Sequence, residues 1–209
     1  MSNKNKSKRA LLIANPGSGK GPGRMALIEK VTRHLQDCGV KVDVAIAKPK
    51  EEATPIAKRA VEAGYRTVIA MGGDDTVEAI IRSVSGSKTR LGIIAAGTAN
   101  NLAKSLGIPA DVEQACALIA EGSVRKLDMG EISVKRGKKF LFFELATVGI
   151  LAALYPDAED IEKGEWTKIK DALAVLLRHE TRPQVTISMD GGSKITVETM
   201  LVTVANVPL

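Results

Sequence analysis

Along residues 9–121 the chain switches between short apolar runs and stretches with apolar residues every three or four positions. Leu11-Leu-Ile-Ala14 is an apolar run ended by Asn15-Pro16-Gly17, the pattern of a buried strand entering a loop. Arg24 to Gln36 carries apolar residues at 27, 28, 31 and 35 and is closed by Gly39, which predicts a helix. Val40 to Ile46 alternates as a strand, Glu51 to Ala63 reads as a helix with Gly64 after it, and Thr67 to Met71 is the next strand. Val77 to Val84 is helical, Leu91 to Ala95 is another strand, and Asn100 to Leu106 another helix. Asp111 to Ala120 completes the series, with Asp111 near the N-cap.

Repeated strand–helix units predict an α/β fold, a parallel sheet with helices on both faces. Ligands of such sheets bind at the carboxyl ends of the strands. The loops at 15–23, 72–76 and 96–100 all follow strands, so one edge of the sheet gathers all three. From about Val124 the pattern changes. Lys126 to Lys135 and Phe140 to Phe143 read as a hairpin, Glu165 to His179 as an amphipathic helix, and Gln184–Ser188 with Ile195–Val204 as a second hairpin. The helix fits core packing against the neighbouring sheet better than a membrane-docking surface. The expected organisation is a basic disordered N-terminus at 1–8, a nucleotide-binding-type α/β domain at 9–123, and part of a β-rich second domain at 124–209. The boundary falls near 122–125.

Composition narrows the class. The chain has 209 residues, 44% of them apolar, enough for a real core. Aromatics make up only 3%, which argues against a base-stacking platform and so against a nucleic-acid partner. Thirty basic residues interspersed with 24 acidic ones leave +6, a solvated surface with a modest pull on anionic substrates or an anionic membrane face. Cys38 and Cys116 lack metal-ligand spacing, as expected of a reduced cytoplasmic protein, and His34 and His179 are solitary. No apolar run approaches the length of a membrane span, so a soluble protein is expected.

The three loops carry the candidate chemistry. Asn15-Pro-Gly-Ser-Gly-Lys-Gly-Pro-Gly23 puts four glycines between a strand and a helix, where bare amides can approach phosphate. It is not a P-loop, since Ala14 and Gly21 stand where Gly and Ser or Thr are needed, and it satisfies GxGxxG in no register. Gly72-Gly73-Asp74-Asp75-Thr76 adds carboxylates that a divalent cation would need. The alternative reading of this loop is simple N-capping of the helix at 77–84, through Asp75 or Thr76. Ala96-Gly97-Thr98-Ala99-Asn100-Asn101 offers a hydroxyl and amides at the same edge, with Thr98 and Asn100 again suited to capping.

Taken together, Asn15-Pro-x-Ser-Gly19, Gly72-Gly-Asp-x-Thr76 and Gly92-Ile-Ile-x-x-Gly-Thr-x-Asn-x-Leu-Ala103 resemble the diacylglycerol kinase catalytic-domain family. That family includes bacterial lipid kinases and sphingosine kinases. Ser105-Leu-Gly-Ile-Pro109 and Lys126-Leu-Asp-Met-Gly130 follow in the expected order. The resemblance implies ATP-dependent phosphorylation of a lipid hydroxyl, diacylglycerol or similar, in lipid metabolism and phospholipid biosynthesis. By residue, Asn15, Pro16, Gly17, Ser18, Gly19, Gly72, Gly73, Asp74, Asp75, Thr76 and Thr98 would hold the nucleotide, and Asp74 and Asp128 would organise Mg²⁺. The implied partners are a nucleotide and a lipid acceptor, with peripheral contact at the inner membrane face. A homodimer is compatible with this reading.

Three positions depart from the family pattern. Asp75 replaces the third glycine of Gly-Gly-Asp-Gly-Thr, and a positive φ there would suit Asp less well than Gly. Glu78-Ala79 stands in place of an Asn-Glu pair, and Asn101 in place of a metal-network aspartate. The family's catalytic glutamate lies beyond Leu209, so no catalytic residue is assigned. Two alternatives therefore stay open: a non-catalytic nucleotide- or lipid-binding module, and a kinase of a soluble acceptor such as NAD.

Overall fold

The computed structural model describes residues 8–17, 23–48, 52–133, 139–150, 184–188 and 192–206. The helix expected at 165–179 lies outside the described residues. The chain divides into two compact units between Met129 and Gly130, a few residues past the stretch at 122–125.

In the first unit, strands and helices alternate in the predicted order. They are β1 (Lys8–Ala14), α1 (Arg24–Asp37), β2 (Val40–Ile46), α2 (Ala53–Glu62), β3 (Thr67–Gly72), α3 (Asp74–Val84), β4 (Arg90–Ala95), α4 (Asn101–Ser105) and α5 (Val112–Glu121). β1 therefore begins at Lys8, inside the stretch expected to be disordered. The four strands are parallel in the order β2-β1-β3-β4, with Leu12 opposite both Val44 and Ile69, and Gly72 opposite Ala95.

Successive strand side chains point to opposite faces, and both faces here are apolar. Ala10, Leu12, Ala14, Ile69, Met71 and Ile94 form one core with Ile28, Val31 and Leu35 of α1 and Ala115, Cys116 and Ala120 of α5. The intervening Leu11, Ile13, Val68, Ala70 and Ile93 are also buried, on the face that α2 and α3 cover. Helices thus lie on both sides of the sheet. Asp111 caps α5, its side chain accepting a hydrogen bond from the Gln114 N–H at 2.9 Å.

Away from the carboxyl ends, a polar clasp joins three parts of the sheet. Arg9 Nε of β1 donates to Asp43 Oδ2 of β2 at 2.7 Å, and the Tyr65 hydroxyl, just before β3, donates to the same oxygen at 2.6 Å. The Arg9 guanidinium also lies 4.7 Å from the Tyr65 ring centroid, a cation–π contact. The Tyr65 hydroxyl, then the Arg9 guanidinium, hold the Asp43 carboxyl below its ordinary range.

The second unit consists, among the described residues, of three antiparallel strand pairs. β5 (Gly130–Ser133) pairs with β6 (Lys139–Phe142), β7 (Leu145–Gly149) with β10 (Leu201–Ala205), and β8 (Gln184–Ile187) with β9 (Ile195–Glu198). The first hairpin starts at Gly130 rather than Lys126. The strand expected from Ile195 to Val204 is two strands. Thr199 Oγ1 donates to the Leu201 carbonyl at 2.8 Å and accepts the Leu201 N–H at 3.2 Å. Such local bonding competes with the ladder, and the chain breaks there and turns to β7.

Candidate functional site

β1, β3 and β4 are neighbours, so their carboxyl-terminal loops lie side by side. The ladder continues one residue past the strands: the Asn15 N–H donates to the Met71 carbonyl at 3.1 Å, and the Ala96 N–H to the Gly72 carbonyl at 2.9 Å. In the first loop the Asn15 side chain works in two directions. Its Oδ1 accepts the Gly17 N–H at 2.9 Å, closing the turn through Pro16, and its Nδ2 donates to Thr76 Oγ1 at 3.4 Å. Thr76 is only 1% exposed, so this bond ties the first loop to the buried start of α3. Ser18 and Gly19 lie outside the described residues.

Two glycines let the second and third loops approach. A Cβ on Gly97 would stand 2.4 Å from Gly73 Cα, and one on Gly72 would stand 2.7 Å from the Thr76 side chain. Neither position has room for a side chain. Backbone therefore meets backbone at Gly73 and Gly97, where β3 and β4 end.

α3 begins at Asp74, earlier than the Val77 start that the periodicity predicts. Gly73 is its N-cap, with extended backbone, so neither Asp75 nor Thr76 stands at the cap position considered for them. Asp75 is the second residue of the helix. Among the described residues the one non-glycine residue with positive φ is Asn100, so the backbone objection to an aspartate at 75 does not apply. Both Asp74 and Asp75 lie in the first turn, where carboxylates interact favourably with the helix dipole. Asp75 is exposed, whereas Asp74 is half-buried and its Oδ1 accepts the Leu102 N–H of α4 at 3.3 Å.

The third loop is anchored at its base and exposed at its tip. Arg24 Nη1, at the start of α1, donates to the Ala96 carbonyl at 2.7 Å. Asn100 has a left-handed backbone (φ 52°, ψ 44°), and its side chain reaches back to accept the Gly97 N–H at 2.9 Å and donate to the Gly97 carbonyl at 3.0 Å. Thr98 stands exposed between them. Asp128 is exposed in the irregular stretch before β5.

Arg24 was not among the sequence candidates, and Asn100 was considered only as a cap; it does stand at the N-cap of α4, but its side chain makes no capping bond. Arg24 reads as an ordinary first-turn residue, and nothing in the sequence says that it reaches a loop 72 residues away. Asn100 carried a usable signal, since Asn tolerates the left-handed region better than most residues.

Chemically, the edge offers amides, a buried hydroxyl, one half-buried carboxylate and a guanidinium within one set of bonded loops. Among the described residues, no group of three or more His, Cys, Asp or Glu side chains is placed to hold a metal alone. A magnesium ion in a phosphoryl-transfer site does not need one, since it is held by one or two carboxylates plus phosphate oxygens and water.

A family profile described as "Diacylglycerol kinase catalytic domain" matches residues 9–132. The chain is 32% identical over 146 residues to a "Diacylglycerol kinase" of Staphylococcus saprophyticus, which covers 69% of this chain and 46% of that one. It is 32% identical over 174 residues to a "Probable lipid kinase YegS-like" of Klebsiella pneumoniae, covering 82% and 56%. The chain thus spans about half the length of the curated relatives it matches. A crystal structure of a diacylglycerol kinase from Bacillus anthracis superposes with a TM-score of 0.72 at 23% identity, over 98% of this chain and 65% of the other. At that identity the likeness speaks for the fold.

Proposed function

The chain belongs to the diacylglycerol kinase catalytic-domain family, and from that premise we propose that it binds ATP with Mg²⁺ and is the nucleotide-binding part of a lipid kinase. The observation that carries this is the close backbone approach of Gly73 and Gly97 beside the Asn15–Thr76 bond. Asn15, Pro16, Gly17, Ser18, Gly19, Gly72, Gly73, Asp74, Asp75, Thr76 and Thr98 are the proposed nucleotide contacts. Asp74, with Asp128 as the second carboxylate, is the proposed holder of the cation. Bound Mg²⁺ would neutralise charge on the phosphates as it builds during transfer.

The chain's own residues would do the positioning that phosphoryl transfer depends on. Gly73 and Gly97 admit the phosphates close to the backbone, Thr76 is held by Asn15, and Asp74 is fixed by the Leu102 N–H. The acceptor proposed is the hydroxyl of diacylglycerol or a similar lipid, met at the cytoplasmic membrane face by peripheral contact. Among the described residues no helix is long and apolar enough to cross a membrane.

One observation favours a second reading, a nucleotide-binding module without transfer activity. Asp75 adds an exposed carboxylate to the first turn of α3, beside the position proposed for the phosphates.

Titration calorimetry with ATP, with and without Mg²⁺, followed by a phosphoryl-transfer assay on diacylglycerol in mixed micelles, separates the readings. The kinase reading expects metal-dependent binding and labelled lipid. Binding without transfer supports the module, transfer to NAD instead supports the soluble-acceptor alternative, and absence of binding overturns the nucleotide site.

A further inference from the structure

We propose that Asn100 is a positioning residue of this site. Its side chain holds the Gly97 peptide against Gly73 and so sets the spacing of the second and third loops. The inference rests on the nucleotide reading above and deepens it.

Three observations converge on this residue. Asn100 is the one non-glycine residue with positive φ among the described residues, a conformation that L side chains adopt at a cost and that is retained where surroundings fix it. Its amide is satisfied on both sides by the backbone of a single residue, Oδ1 accepting the Gly97 N–H and Nδ2 donating to the Gly97 carbonyl, at 2.9 and 3.0 Å. The held residue is the one whose Cα faces Gly73, where a Cβ would stand 2.4 Å away. A bond pair of this kind holds the two peptide groups that flank Gly97, one through its N–H and the other through its carbonyl.

The clamp also sorts the loop's donors. The Gly97 N–H is consumed by Asn100, and the Ala96 N–H by the Gly72 carbonyl. The N–H groups of Thr98 and Ala99 make no hydrogen bond among the described residues, and both residues are exposed at the tip. Those two amides are the donors the clamp presents to an anion. The ligand class they suit is the polyphosphate of a nucleotide rather than its base or ribose, since the contribution is all backbone N–H.

Asn100→Gly removes both side-chain bonds while leaving a residue at ease with the left-handed backbone. Asn100→Ala removes the same bonds and adds strain. A residue of purely structural importance would lower the melting temperature and would weaken adenosine and ATP alike. A positioning residue for phosphate would change their ratio. The test is calorimetric binding of Mg·ATP and of adenosine to wild type and Asn100→Gly, with thermal melts of all three proteins.

The expected result is a loss of about tenfold in Mg·ATP affinity, equivalent to one or two well-placed hydrogen bonds. Adenosine affinity should stay within twofold, the melting temperature of Asn100→Gly near wild type and that of Asn100→Ala lower. Should Asn100→Ala fail to fold, the glycine variant carries the comparison alone. An unchanged ATP-to-adenosine ratio in a folded Asn100→Gly overturns the proposal while leaving the nucleotide site standing. Absence of Mg·ATP binding by wild type overturns both.

Discussion

Asp75 shows how one residue can mean different things in sequence and in structure. In the sequence it replaces a glycine within a glycine loop and reads as a backbone problem. In the structure it is the second residue of α3, in helical backbone that an aspartate adopts freely. What remains is its charge. Asp75→Gly should therefore act in two opposite directions. Loss of helix propensity and of the dipole interaction should lower stability by about 1 kcal/mol, read by urea unfolding. Removal of a carboxylate from the proposed phosphate edge should raise affinity for metal-free ATP severalfold, since a like charge a few ångströms away costs roughly 0.5–1 kcal/mol in a solvated site. Calorimetry in chelator should show the second effect and Mg²⁺ should narrow it. Equal or weaker metal-free binding by the glycine variant would remove Asp75 as a reason to doubt catalysis. Gly72, Gly73, Asp74 and Thr76, which the structure gathers at one edge, are residues whose type alone states a need: no side chain, a charge, a hydroxyl. Asn100 was read as a cap and does stand at the N-cap of α4, but its side-chain bonds to Gly97 depend on backbone sign and on a residue three positions back, neither of which residue type reveals.

At the scale of elements, periodicity was informative wherever a face is buried. β2 runs from Val40 to Ile46 as its alternation predicts, α1 runs one residue further at its C-terminal end, and α5 is offset by one residue at each end. The start of α3 was not legible, because two adjacent aspartates after two glycines look like loop until the helix dipole is considered. β10 was missed for the opposite reason: Ile195 to Val204 is uniformly strand-like, and the break comes from one threonine bonding its neighbour's backbone. The Arg9–Asp43–Tyr65 clasp, too, joins residues from three separate elements, and its effect can be measured by pH. The Asp43 carboxyl is held below its ordinary 3.8, so near that pH the unfolded chain binds more protons than the folded one. Its stabilisation is present above the ordinary value and is lost as pH falls through the lowered folded one. Asp43→Asn should accordingly be less stable than wild type at neutral pH, and the two should converge as pH falls through the lowered folded value. The group is exposed, so the difference should be small and should shrink in salt. Urea unfolding of both proteins at neutral and acid pH is the check, and a gap that persists in acid would mean the carboxylate's charge is not what matters.

Across the whole molecule, burial is unevenly shared. Among the described residues the buried apolar side chains belong to the first unit, with Phe143 the exception. In the second unit Phe140, Leu145, Val148, Ile195 and Val204 are all exposed. Its described strands are joined in twos, and a two-stranded ribbon is at best marginally stable in water without a packed face. The parallel sheet of the first unit has both faces covered, and opening it exposes Leu12, Ile13, Ile69 and Ile94 together, each about 1.5–3 kcal/mol when fully buried. The two units should therefore open with different free energies. Native-state hydrogen exchange should find the amides of β1 and β3 exchanging only through global unfolding. Those of β8 and β9 should exchange at least about a hundredfold faster, a gap of ~3 kcal/mol. Mg·ATP, if the proposed site is right, should slow exchange in the loops after β1, β3 and β4 and leave the β8–β9 amides unchanged, because a ligand stabilises only the openings that destroy its site. Equal protection across both units would show instead that the second unit draws its stability from packing that the strand pairs alone do not contain.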